Sequence, residues 1–181
     1  MTNSIAEIEN SECMLVVGSN TTDAHPVLAL RMKKALRNGA KLLVVDPRKT
    51  WLAERADVHL QIKPGTDIPL MNAIAHVIIS EDLHDKQYVE TLSEGFEEMS
   101  EAAAAWPVER AAEICEVSAN DIRRAARIYA SYKHAGIYYT LGITEHVCGV
   151  DNVRSLSNLA IITGHIGYEA TGVNPLRGQN N

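Results

Sequence analysis

The chain has 181 residues, 46% hydrophobic and 22% charged, with 17 Lys and Arg against 23 Asp and Glu for a formal charge of −6. That length suits one domain with an ample core, and the acidic balance excludes nucleic acid held in a general basic field. Three widely spaced cysteines, Cys13, Cys115 and Cys148, make neither a CxxC pair nor a disulfide framework, and no apolar run approaches the ~18 residues of a membrane span. The polar start MTNSIAEIEN gives no signal peptide, so the expectation is a cytoplasmic protein or a cytoplasmic-type excerpt of a larger one.

CMLVVGSN is a short apolar run ending in Gly-Ser-Asn and reads as a buried strand feeding a loop. Pro26 suits the first turn of the next helix, with Val27, Leu30, Met32, Ala35 and Leu36 as its apolar face and Asn38-Gly39 as its end. A second buried strand, residues 42–45, ends in Asp-Pro. Strand, helix, strand makes a βαβ unit and predicts a parallel sheet with a right-handed crossover. A short helix over 51–56 leads to VHLQI, a third strand, and then to KPGTD, where Thr66 or Asp67 caps a helix carrying Leu70, Ile74, Val77 and Ile78.

Residues 82–133 follow a helical pattern, including a start at Ser118 with Asp121 three positions on. AGIYYTLG is a further strand, and DNVRSLSNLAIITGHIG is a helix facing a core with Val153, Leu156, Leu159, Ala160 and Ile162 and stopping near Gly164. The expected fold is α/β: a Rossmann-like parallel sheet flanked by helices, with the helical middle as an extension, all in a single domain.

Four segments follow strands at their C-terminal ends: residues 18–25, 46–50, 64–67 and 141–149. In open parallel sheets this edge is where ligands bind, because helix N-termini and loop amides converge there. In GSNTTDAHP, Gly18 sits where backbone turns sharply and approaches a ligand, and the amides of Ser19 and Asn20 can meet a phosphate. An ordinary strand-to-helix turn capped by Asp23 explains the same residues. Asp46 occupies the strand end where nucleotide-binding folds place an acid on ribose hydroxyls, and a turn residue beside a solvated Arg48 is the plainer alternative. In PGTD, Asp67 can accept from the N1–H and N2–H₂ of guanine while also serving as a cap.

Complete catalytic machinery is not legible. His25, His146 and His165 each follow a loop, but no HExxH, paired Cys or acid cluster gives metal spacing. No GxSxG marks an activated serine, and GxGxxG and GxxxxGK[ST] are both lacking. From the residues alone the chain binds something nucleotide-like and does no complete chemistry by itself.

Read together and in order, LVVGSNTTDAHPV, VVDPRKT, KPGTD, LGITEHVCGVDNVRSLSNLAIITGHIG and GVNPLRGQNN resemble the alpha subunit of molybdenum- or tungsten-dependent formate dehydrogenases, of the molybdopterin oxidoreductase family. NPLRGQNN is the most specific of these motifs. The resemblance implies an α/β domain that holds one of the family's two molybdopterin guanine dinucleotides. By motif, Gly18, Ser19, Asn20 and Asp23 match the loop near the pyrophosphate. Asp46, Pro47 and Arg48 match the ribose and guanosine wall, and Gly65 and Asp67 the guanine contact. Gly142, Ile143, Thr144 and His146 match the loop nearer the pterin. Arg177 matches the arginine that orients formate, with Gln179 close by.

The pattern departs from the family at Glu145 and His165, where Gln and Asn are frequent. No residue here matches the family's metal-ligating Cys or selenocysteine, the cysteines of its 4Fe-4S cluster, or the domain for the second dinucleotide. The resemblance therefore implies an excised domain whose partners are formate, the remaining domains of the subunit and electron-transfer subunits, and which oxidises no formate alone. A generic nucleotide-binding module for NAD or GTP and a non-catalytic interaction domain are the competing readings.

Overall fold

Short apolar runs closed by glycine, asparagine or proline become the strands of one parallel sheet. The strands are β1 (Cys13–Val17), β2 (Lys41–Val45), β3 (Val58–Leu60), β4 (Ala135–Tyr139) and β5 (Val173–Pro175), in the order β3-β2-β1-β4-β5. All four neighbouring pairs are parallel. The computed structural model describes residues 1–177. The chain steps outward from β1 to β2 and β3, crosses back to β4 beside β1, and finishes at β5. Strand order therefore reverses between β1 and β4, which makes that gap the topological switch point.

The register aligns the strand ends. Val17 pairs with Val45 and Tyr139, Val45 with Leu60, and Tyr139 with Pro175, so these five residues form the sheet's last row. Each loop that follows starts from one level.

Strand alternation builds two cores. Cys13, Leu15 and Val17 join one cluster with Leu70, Ile74, Ile122, Tyr129 and Leu159, whereas Met14 and Val16 join another with Ile8, Met32 and Leu52. The first face is covered by α3 (Asp67–Ser80), α7 (Ala119–Ser131) and, after a short α8 (Leu141–Thr144), α9 (Gly149–Ile162). The second is covered by α2 (Pro26–Arg37), after a short α1 (Thr21–Ala24), and by 3-10 turns at Ile5–Asn10 and Ala53–Arg55. Burying one such Leu or Ile side chain contributes roughly 1.5–3 kcal/mol. The helical middle resolves into α4 (Lys86–Leu92), α5 (Phe96–Ala104), α6 (Val108–Cys115) and α7. Of these, α5 and α6 pack on α3, while α7 packs on β1, β2 and β3. Most of the middle is an extension, but its last helix is part of the sheet's cover.

Several local expectations are corrected. Val27 and Leu30, placed on the apolar face of α2, are 68% and 62% exposed, and Ala29, Met32 and Ala35 supply the buried face. Residues 51–56 hold only the 3-10 turn Ala53–Arg55, and VHLQI pairs only over Val58–Leu60. Thr66 is the N-cap of α3 but makes no side-chain cap; its hydroxyl donates to the Lys63 carbonyl at 2.7 Å, and Asp67 is the first helical residue. Asp23 caps nothing: it lies inside α1 and accepts from Asn20 Nδ2 at 2.7 Å. Ser118 does cap α7, accepting from the Asp121 amide. The strand β5, inside GVNPLRGQNN, carried no strand signal in the sequence. It is three residues long, ends in proline, and lies at the sheet's edge, where a missing N–H is tolerated.

Candidate functional site

At the switch point the loops after β1 and β4 touch through bare backbone. Gly18 has φ +55°, and a Cβ on it would lie 2.7 Å from the carbonyl carbon of Gly142; a Cβ on Gly142 would lie 2.5 Å from the Gly18 oxygen. Only glycine allows both the left-handed conformation and that approach. The Gly18 amide donates to the Val45 carbonyl at 2.8 Å, and the Thr140 hydroxyl donates to the Gly18 carbonyl at 2.5 Å. Gly18 is thereby tied to both neighbouring strands.

A cavity of ≈ 920 Å³ opens at this edge. It is walled by all four loops read from the sequence and by the strand ends Val45, Tyr139 and Pro175. That volume lies in the upper part of the ~300–1,000 Å³ range typical of ligand sites. Gly18, Asn20 and Asp23 line it from the first loop, and Asp46, Pro47 and Arg48 from the second. Gly65 and Asp67 line it from the third, Gly142, Thr144 and His146 from the fourth, and Arg177 from beyond β5. Two expected residues do not line it. Ser19 is 1% exposed with its hydroxyl 2.8 Å from that of Thr21, and Ile143 is fully buried in the core. Gln179 lies outside the described residues. Glu145 is exposed and does not line the cavity.

Asp46 is 2% exposed at the end of β2. Its Oδ1 accepts the Arg48 amide at 2.8 Å and lies 3.6 Å from Arg48 Nε, while its carbonyl meets His59 Nε2 at 3.0 Å. This fixes the Asp-Pro-Arg turn. Asp67, 5% exposed, starts α3 with its carboxyl on the cavity wall. Burial raises its pKa above the usual carboxylate range; its own amide and His146 act against that rise, and Asp46 adds to it. A buried carboxylate of this kind gains from hydrogen-bond donors. His146 Nε2 lies 2.9 Å from the Gly142 carbonyl, which can only accept, so this nitrogen carries the proton and holds the glycine loop.

Ala24, His25, Pro64 and Leu141 line the cavity from within the loops read from the sequence, and the residues missed are Ile62, Tyr139, Thr140 and Leu176. Most are apolar and carry no chemical signature. Thr140 had one available signal, its position one residue past a strand and directly before the glycine loop.

The model of the family described as molybdopterin oxidoreductase matches residues 1–181. The chain is 49% identical over all its residues to the F420-dependent formate dehydrogenase subunit alpha of Methanocaldococcus jannaschii, covering 27% of that protein. It is 47% identical over all its residues to formate dehydrogenase H of Escherichia coli, covering 25% of it. It thus spans about a quarter of the length of these relatives. Among solved structures, acetylene hydratase from Pelobacter acetylenicus aligns over 92% of this chain and 25% of its own, with a TM-score of 0.84 and 32% identity. With the parallel sheet, the switch-point cavity and the family model all spanning the same residues, the chain belongs to the molybdopterin oxidoreductase family.

Proposed function

We propose that the switch-point cavity holds one molybdopterin guanine dinucleotide, and that this domain works within a formate dehydrogenase alpha subunit that oxidises formate to CO₂. The observation that carries this reading is the convergence of four strand-end loops on one ≈ 920 Å³ cavity with the buried Asp67 carboxyl in its wall. The residues present fit such a ligand. Gly18 and Gly142, in backbone contact with each other, both line the cavity without a side chain, and the buried Asp67 carboxylate answers the paired donors of guanine. Identity near half with two formate dehydrogenase relatives supports the substrate.

The chain's own residues bind and orient. The loop at Gly18, Asn20 and Asp23 meets the pyrophosphate through backbone amides, so that anion needs no cluster of cations. Asp46, fixed by its bond to the Arg48 amide, receives ribose hydroxyls. Asp67 pairs with guanine N1–H and N2–H₂, which relieves the desolvation of its carboxylate. Thr144 and His146 face the pterin end. When bound, the cofactor supplies a molybdenum or tungsten centre that accepts the electron pair. Arg177 offers formate a cation with fork geometry. The second dinucleotide, the 4Fe-4S cluster and the electron-transfer subunits belong to other parts of the assembly. Among the described residues, no three His, Cys, Asp or Glu side chains group to hold a metal ion, and no helix is long and apolar enough to cross a membrane.

The test is the chemistry of the released cofactor. Hydrolysis of the cofactor freed from the purified subunit should yield GMP. Recovery of AMP or CMP, or of a pterin without nucleotide, overturns the reading.

A further inference from the structure

Arg177 sits two residues beyond the last paired residue of β5, and its immediate support comes from one residue of the neighbouring strand. Tyr139 closes β4 opposite Pro175. Its carbonyl accepts the Leu176 amide at 2.8 Å, and Leu176 is 3% exposed in the core. The backbone of Tyr139 therefore holds the residue directly before Arg177. Tyr139 and Arg177 both line the cavity. Tyr139 is 3% exposed, with its ring among the core residues of the α3 and α7 face. Burial raises the pKa of its hydroxyl, and the neighbouring Arg177 guanidinium acts against that rise. The group is thus a neutral phenol facing a cation.

We propose that Tyr139 is the positioning residue for Arg177, its hydroxyl accepting from the guanidinium and holding the fork toward the cavity, where a small planar carboxylate is received. This rests on the reading of Arg177 as the formate-orienting cation. The physical need is clear. Arginine has large rotamer freedom, Arg177 is exposed, and a mobile fork forfeits the benefit of bidentate geometry. A neutral acceptor at the end of a buried strand orders the cation without neutralising it. An aspartate in that place would compete with the anionic substrate.

The experiment is a double-mutant cycle in the full subunit with Tyr139→Phe, Arg177→Lys and the pair, reading KM and kcat for formate and the inhibition constant of nitrate as a planar anion probe. Tyr139→Phe keeps the ring and the carbonyl, so melting temperature and cofactor content should stay unchanged. KM for formate and the nitrate constant should both rise about tenfold, the scale of one hydrogen bond to a charged group. In the Arg177→Lys background the same change should add little, because the fork it serves is gone. Full additivity, or a silent Tyr139→Phe beside a costly Arg177→Lys, overturns the positioning role and leaves the formate reading intact. A silent Arg177→Lys overturns the formate reading and this role with it.

Discussion

Gly18 and Gly142 lie 124 residues apart in the sequence, yet they pack backbone against backbone: a Cβ on Gly18 would fall 2.7 Å from the Gly142 carbonyl carbon. This contact lies at the gap between β1 and β4, where strand order reverses, and both glycines line the cavity. Gly18→Ala should therefore both strain a left-handed residue and wedge two loops apart. The expected loss is ~1–3 kcal/mol, read as a lower urea midpoint with unchanged slope. A midpoint equal to that of the parent chain would mean that the two loops yield freely.

Thr140 secures the same contact from the side, donating to the Gly18 carbonyl at 2.5 Å. Thr140→Val keeps the shape and removes the hydroxyl, leaving that carbonyl without this donor. The expected cost is ~1 kcal/mol in stability, with weaker nucleotide binding, and Thr140→Ser should restore both. Calorimetric titration of the three proteins checks this.

The sheet and the site edge were legible because both rest on local rules. Buried runs such as CMLVV and KLLVV sit on either side of a proline-started helix, and loops rich in glycine and aspartate follow each strand. What stayed hidden depended on tertiary context. Val27 and Leu30 keep helical spacing but lie on the exposed side of α2. Ser19 and Ile143 belong to the right motifs, yet each turns into the protein, since adjacent loop residues point in different directions. Strand β5 takes its parallel partner from β4 and further hydrogen bonds from Thr2 and Asn3, all distant in sequence, so three residues ending in Pro175 carry no signal of their own. Thr66 reads as a cap by type, and the nearby Lys63 carbonyl captures its hydroxyl instead.

His165, which departs from the family's frequent Asn, lies away from the cavity and serves the fold. Its Nε2 meets the Tyr132 carbonyl at 2.9 Å and so carries the proton; its Nδ1 lies 2.9 Å from the Thr163 hydroxyl. Burial pulls its pKa down to about 4, from 6.5. The folded state thus binds this proton less readily than the unfolded one. Stability from neutral His165 is complete above 6.5 and is lost as pH falls toward about 4, by ~3 kcal/mol over the whole window. Urea unfolding of the parent and His165→Asn between those limits should show a steeper acid loss in the parent. Parallel curves would contradict the assignment.

The central claim is that this cavity receives a guanine nucleotide and that Asp67 reads the base. The most direct measurement is calorimetric titration of the chain and of Asp67→Ala with GDP and ADP under the same conditions. A carboxylate pairs with both guanine donors and finds no such pair on adenine, a difference worth ~1.5–3 kcal/mol. The parent should therefore bind GDP about tenfold or more tightly than ADP, and Asp67→Ala should lose that preference while keeping its weaker ADP affinity. Equal affinity of the parent for both nucleotides, or an equal loss for both on substitution, would contradict the account.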